Sequence, residues 1–283
     1  MVGVEMNVGG VMLKVAAVQM SSNSNKENCL KKAERFVFLA TEGGAEVVAM
    51  PEMFNFSGTI KEKKENSESV PGPTINRLKE LAKRFRIYLL CGSILEKDRG
   101  LFYNTSIFLN HQGEIIAKYR KMHLFDVTLP DGSSWRESEL ITAGNEVVKV
   151  ATSKAIFGFS ICYDLRFPEL YRKLARKKVQ IVFVPSAFTL ETGKDHWETL
   201  VRARSIENQF YVIAPNQIGR DSRGRSYWGK SMIVDAWGTV LAKAPEKESV
   251  IFAEIDLSLQ EKIRKNLPSL SHMRKDLLGF RTY

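Results

Sequence analysis

Strand-like and helix-like hydrophobic patterns take turns along this chain, and that alternation restricts it to α/β layers. Residues 11–20 are β-rich and end in Ser21-Ser22-Asn23-Ser24-Asn25, a cluster of helix-capping residues. Over 28–41, Leu30, Ala33, Val37 and Ala40 recur at helical spacing until Gly43-Gly44 stops the pattern. Residues 47–50 read as a short buried strand closed by Pro51. A polar Lys/Glu-rich loop, a helix over 74–86 and a strand over 87–93 follow. Residues 101–109 and 114–119 are joined through Asn110-His111-Gln112-Gly113, a hairpin signal. The stretch 122–145, rich in Gly, Pro, Ser and Asp, reads as irregular, and so long a loop in a compact domain is usually functional or disordered.

The second half repeats the theme with strands over 147–151 and 156–161, a helix over 167–177 and a strand over 181–184. A helix over 195–208 and a strand over 210–214 come next. Strands over 231–235, 240–243 and 250–255 end the series, with Ala236-Trp237-Gly238 as a turn and a helix after Asp256. No Ser/Gly/Pro-rich linker divides the chain. The expectation is one domain over residues 11–258, with a lead-in over 1–10 and a helix end and tail over 259–283. The tail residues Leu270, Leu277, Leu278, Phe280 and Tyr283 need an apolar partner surface, in the same or another subunit.

Composition narrows the class. Apolar residues make up 44% and charged residues 26% of 283, ordinary for a globular enzyme with a sizeable core. No stretch approaches the roughly twenty apolar residues that span a bilayer, and residues 1–10 lack the basic start of a signal peptide. The 3 cysteines, Cys29, Cys91 and Cys162, are far apart and suit a reducing, cytoplasmic compartment. A net charge of +10 raises the question of an acidic partner. The basic runs at 61–64, 172–178 and 262–265 carry no aromatic interleaving or nucleic-acid module, so they read as solvated helix faces with some attraction for small anions. The 4 histidines, His111, His123, His196 and His272, show no metal-ligand spacing.

Three residues stand at strand ends where α/β proteins build sites. Cys162 follows an apolar strand and precedes a helix, so a helix N-terminus could activate the thiol and supply N–H groups to an oxyanion. A lone cysteine there is more often a small core residue. Glu52 follows a buried strand and Pro51, with Met53, Phe54 and Phe56 beside it, a setting suited to a general base and equally to a cap. Lys121 ends another strand, where an ammonium can steady an oxyanion or simply decorate the surface. Ser160 fails the serine-elbow pattern because the second Gly is absent. The sequons at Asn55 and Asn104 carry no weight without a secretory signal.

Taken together, Pro51-Glu52, Tyr119-Arg120-Lys121-Met122-His123-Leu124-Phe125 and Ile161-Cys162-Tyr163-Asp164-Leu165-Arg166-Phe167-Pro168-Glu169 resemble the three signature segments of the nitrilase superfamily, in its order and spacing. Val184-Pro185-Ser186-Ala187-Phe188, Thr192-Gly193, His196-Trp197-Glu198 and Trp237-Gly238-Thr239-Val240 are similar as well, and the likeness covers residues 12–258. It implies an α/β fold of the four-layer α-β-β-α sandwich type and a Glu52–Lys121–Cys162 triad. A second glutamate is implied at Glu137, with Glu139 close enough to compete. No metal or organic cofactor is implied, and a homodimer or larger homo-oligomer is. The omega-amidase and deaminated-glutathione-amidase branch fits best, which implies a small carboxylate-bearing amide as substrate. Tyr163, Arg166, Phe188 and Thr192 are the expected substrate contacts, with Arg166 open to a structural pairing with Glu169. Nitrile or N-carbamoyl hydrolysis, a Cys162 pairing with His123 or His196, and a silent scaffold remain alternatives.

Overall fold

The computed structural model describes residues 12–130 and 132–274. The lead-in 1–10 lies outside them, as do the tail residues Leu277, Leu278, Phe280 and Tyr283. In chain order the first half holds β1 Met12–Gln19, α1 Lys26–Glu42, β2 Val47–Ala49, α2 Ile60–Glu65 and α3 Pro73–Phe85. It continues with β3 Tyr88–Leu90, β4 Ile94–Asp98, β5 Leu101–Leu109, β6 Ile115–Arg120, β7 Asp126–Thr128 and β8 Ser134–Arg136. The second half holds β9 Lys149–Ala151, β10 Ile156–Phe159, α4 Pro168–Arg176, β11 Ile181–Phe183, α5 Leu190–Asn208 and β12 Tyr211–Ala214. It ends with β13 Ile218–Arg220, β14 Ser226–Trp228, β15 Met232–Val234, β16 Val240–Lys243, β17 Ser249–Asp256 and α6 Leu257–Asn266.

Two sheets result. One runs β17-β1-β2-β3-β5-β4 with β6 paired to β5, and the other runs β16-β15-β12-β11-β10-β9. Side-chain alternation decides how they stack. On β1, Leu13, Val15 and Ala17 join one buried cluster, which also takes in the second sheet. The intervening Ala16 and Val18 join another cluster with Leu30, Ala33 and Val37 of α1 and Ile75 and Leu78 of α3. Phe108 of β5 meets Phe157 at 5.0 Å, Phe183 at 5.3 Å and Phe159 at 5.7 Å between ring centroids, which ties the sheets face to face. Leu170 and Leu174 of α4 and Trp197 and Val201 of α5 bury against the second sheet. The layers are therefore helix, sheet, sheet, helix, as expected. Leu270 of the tail packs against this same chain's core.

Topology brings the chemistry to one edge. Strand β1 is parallel to β2 and β2 to β3, while β5 is antiparallel to β3 and β6 antiparallel to β5. The carboxyl ends of β2 and β6 thus point the same way, and Glu52 and Lys121 follow them. In the other sheet β10, β11 and β12 are parallel, and Cys162 follows β10. A bridge between Met20, after β1, and Gln217, after β12, holds the two carboxyl edges side by side.

Several elements differ from the sequence expectation. The Lys/Glu-rich loop contains α2, short but closed by a capping box in which Thr59 and Glu62 satisfy each other's backbone N–H. Helix α5 begins at Leu190 because Thr189 caps it through Thr192 N–H. The irregular stretch 122–145 carries the β7–β8 ribbon and a 3-10 turn at Glu137–Glu139. The hairpin β13–β14 was not anticipated.

Candidate active site

The glutamate arrives first along the chain. After β2 the backbone of Met50 still bonds to Leu90 (N–H to O, 3.1 Å), and Pro51 then turns it away. Gly92, at φ +49°, passes so close that a Cβ there would stand 2.0 Å from the Pro51 carbonyl oxygen, so only glycine fits beside this turn. Gln217 donates from Nε2 to the Glu52 carbonyl at 2.7 Å. Both faces of the Glu52 backbone are fixed, and its buried carboxylate accepts from Lys121 Nζ (3.0 Å), Asn104 Nδ2 (2.8 Å) and Ala187 N–H (2.8 Å).

The lysine is held just as closely. Its N–H donates to the Asn104 carbonyl (2.9 Å), and its own carbonyl accepts from Gly144 (2.8 Å), where a Cβ would collide with the Arg120 carbonyl. Lys121 Nζ reaches Glu137 Oε2 at 2.8 Å as well as Glu52. Glu137, in turn, accepts from the Phe125 N–H at 2.8 Å. Of the two neighbouring glutamates, Glu137 meets the lysine, and Glu139 only borders the cavity. Burial pulls the Lys121 ammonium down, but the charges of Glu137 and Glu52 more than offset this and hold its pKa well above the usual lysine value.

Cys162 opens a 3-10 turn, Cys162–Arg166, that precedes α4. Its φ of +46° is a left-handed conformation that costs a cysteine energy and is sustained by its surroundings. Its N–H donates to the Pro185 carbonyl at 3.0 Å. Asp164, fully buried, accepts from Ile161 N–H (2.9 Å), Tyr119 Oη (2.6 Å) and His123 N–H (3.0 Å). That one carboxylate therefore ties the turn of Cys162 to the segment of Lys121. The thiol differs from expectation. Burial, and then the charge of Glu52, push it well above the usual thiol value, and Lys121 only partly counteracts them. Both influences favour the protonated thiol, which sits in the 3-10 turn ahead of α4 and not in the first turn of that helix.

Cys162, Lys121, Glu52 and Glu137 share the floor of a cavity of about 320 Å³, room for a metabolite-sized ligand. All four expected substrate contacts border it. Tyr163 lies edge-on to Phe125, and Phe188 is buried against Trp197. Thr192 sits in the first turn of α5. Arg166 lies 5.2 Å above the Phe188 ring and meets His196 Nδ1 at 3.4 Å, with no carboxylate partner among the described residues, so the pairing with Glu169 does not form. His123 stacks on Phe167 at 3.7 Å and bonds to Asp164, and neither it nor His196 borders the cavity. Asn104, set aside as a sequon, spans Glu52 and Glu137 with its Nδ2. Its signal was the polar run Asn104-Thr105-Ser106 in the middle of β5, between apolar residues on both sides.

Fold and residues together define a class. The carbon-nitrogen hydrolase family model matches residues 14–265, and this chain belongs to that family. It is 43% identical over 262 residues to the deaminated glutathione amidase of Synechocystis sp., spanning 91% of this chain and 96% of that protein. It is 38% identical to human omega-amidase NIT2 over 93% of this chain and 96% of that one. The C. elegans NitFhit crystal structure superposes with a TM-score of 0.87 at 38% identity, over 94% of this chain and 66% of that longer one. Saccharomyces cerevisiae Nit3, a nitrilase superfamily member, follows at 0.83 and 36% identity, over 91% and 94% of the two chains.

Proposed function

We propose that this protein hydrolyses the amide of a small carboxylate-bearing acid through a thioester on Cys162. The observation that carries this reading is the contact of Lys121 Nζ with both Glu52 (3.0 Å) and Glu137 (2.8 Å) on the cavity floor shared with Cys162. Because the thiol rests protonated, its proton must leave as sulfur attacks, and Glu52 is the acceptor. The Sγ–carbon bond forms, the carbonyl oxygen becomes an oxyanion, and Lys121 with the Tyr163 N–H stabilises it. Glu52 returns the proton to the departing nitrogen as the carbon–nitrogen bond breaks. Water, deprotonated by Glu52, then attacks the thioester, and the thiol regains its proton. Glu137 holds Lys121 in place.

Arg166 supplies a charge for the carboxylate of the acyl part, above the apolar wall of Phe188. The names of the two amidase relatives support an omega-amide or a deaminated peptide as substrate. The test is a panel of succinamate, alpha-ketoglutaramate, deaminated glutathione, an N-carbamoyl amino acid and an aryl nitrile, followed by release of acid from wild type and Cys162→Ala. Turnover of an amide that vanishes in the variant is expected. Turnover that survives in Cys162→Ala would sink the triad.

We also infer a homodimer or larger assembly of one domain, in the cytoplasm. Exposed Ile206 of α5 packs against Gly238, whose neighbour in sequence, Trp237, is exposed too, apolar surface suited to a second copy, and all three cysteines are free thiols. A monomer in sedimentation at micromolar concentration would remove the first inference.

A further inference from the structure

Asn104 lies on β5 opposite Leu95 of β4, buried, and its backbone carbonyl takes the Lys121 N–H. Its Nδ2 donates to Glu52 Oε1 at 2.8 Å and to Glu137 Oε1 at 3.2 Å. Lys121 Nζ donates to the same two oxygens, at 3.0 and 3.1 Å. The two carboxylates and the two nitrogens therefore close a ring. Reversing the amide would set its carbonyl against both carboxylates, so its orientation is fixed. Oδ1 is buried, and no donor among the described residues reaches it. A bare buried acceptor destabilises the fold, so the contribution of this residue lies in its Nδ2.

Two carboxylates on one floor disfavour each other's ionisation, and the single ammonium of Lys121, after β6, balances only one of them. Lys63 of α2 senses both glutamates, and Cys162 after β10 and Tyr227 of β14 sense Glu52, while Glu139 borders the same cavity. Asn104 brings no charge and gives an N–H to each carboxylate, and an N–H that donates to a carboxylate favours its ionised form. It also divides the work of Glu52. Oε1 is taken by Asn104 and Lys121. Oε2 accepts from the Ala187 N–H at 2.8 Å, and that same N–H bears on the Cys162 thiol, so the thiol lies on the Oε2 side.

We propose that Asn104 is a positioning residue of the reaction, whose amide keeps Glu52 and Glu137 ionised side by side and pins Glu52 Oε1, so that Oε2 exchanges the proton with Cys162. This rests on the Cys162 acyl-transfer reading. The thiol proton passes to Oε2 as the Sγ–carbon bond forms. It leaves Oε2 for the departing nitrogen as the carbon–nitrogen bond breaks, so the proton count is unchanged. Without the amide the two glutamates keep a proton between them to higher pH, and a Glu52 that holds it cannot take another from the thiol.

The test follows kcat and KM against pH, for the amide of the panel above that wild type turns over fastest, in wild type, Asn104→Leu and Asn104→Thr. Leucine donates nothing, whereas threonine suits a strand and its hydroxyl serves one carboxylate at most. In Asn104→Leu, kcat at neutral pH is expected to fall about tenfold to hundredfold, the worth of a hydrogen bond to a charged group, with KM little changed. The rise of kcat from acid pH should move to higher pH. It should move less far in Asn104→Thr, which carries the test where the leucine variant does not fold. The movement should shrink when Asn104→Leu is made together with Glu137→Gln, since one carboxylate is then left. A lower kcat with the acid limb in place marks a strand residue that only packs, and overturns the proposal. A rise in KM at unchanged kcat overturns it as well, because it sets Asn104 against substrate. Either result leaves the Cys162 reading standing. Turnover of no amide, or equal turnover by Cys162→Ala, overturns both readings together.

Discussion

On the cavity floor Lys121 touches two carboxylates, at 3.0 and 2.8 Å, whereas on the walls the side chains of Lys63, Arg166, Arg223 and Arg225 form no ion pair among the described residues. The floor is a closed network in which Asn104, Ala187 N–H and Phe125 N–H occupy further carboxylate lone pairs. The walls hold cations whose hydrogen bonds go to shaping the chain or nowhere. Charges that must not move during a reaction are compensated before substrate arrives, which is what electrostatic preorganisation requires. Charges left open are those an incoming anion can satisfy. Substitutions on the floor should therefore damage turnover and folding together, and substitutions on the walls should damage only recognition.

The largest effect belongs to Cys162→Ala, for which kcat should fall on the order of 10⁶-fold, the cost of removing a nucleophile. Residual turnover within tenfold of wild type would break the floor reading outright. Glu52→Gln should lower kcat by about 10²–10⁴-fold, the range of general acid–base catalysis, with little change in KM. A change confined to KM would move Glu52 from the floor's chemistry to recognition.

Lys121→Met should lower kcat by about 10²–10³-fold. It also leaves Glu52 and Glu137 facing each other without their cation, so the urea midpoint should drop, by about 3–5 kcal/mol of stability in the usual range for a broken buried pair. Unchanged stability would mean that the floor is not the closed network its distances describe. Arg166→Gln should do the reverse. KM for a carboxylate-bearing amide should rise about tenfold or more while the melting temperature holds, because no ion pair is lost.

The smallest effect is a titration. With its pKa raised, the Cys162 thiol keeps its proton through the pH range where an ordinary thiol ionises. The ultraviolet thiolate signal, taken as wild type minus Cys162→Ala, should appear only above that range. It should move to still higher pH in Lys121→Met, since Lys121 is the group that favours the thiolate, and to lower pH in Glu52→Gln. A midpoint at or below that of a free cysteine would contradict the resting thiol.

Much of this was legible in the sequence, for reasons that can be stated. The layers follow from periods of two and of about 3.6 in segments long enough to show them, and Glu52, Lys121 and Cys162 each close an apolar strand. Helix α2 hid because six residues, five of them charged, give no apolar stripe. The start of α5 hid because its first turn holds Gly193. Asn104 read as a sequon, since nothing local shows that Glu52, 52 positions away, needs its amide. Lys63 falls in the basic run 61–64, which reads as a solvated helix face, and no motif marks Arg225. The Ser57–Asp221 and Ser222–Ser57 bonds, across 164 and 165 positions, bring their segments together. The raised thiol depends on burial by distant chain, so the local strand-to-helix pattern pointed the opposite way.

The most direct test of the central claim is mass spectrometry of the protein mixed with an omega-amide and quenched in acid within one turnover. A mass increase equal to the acyl group, mapped to the peptide bearing Cys162 and absent in Cys162→Ala, is the expected result. Acid product formed with Cys162 unmodified at every time point would contradict the account.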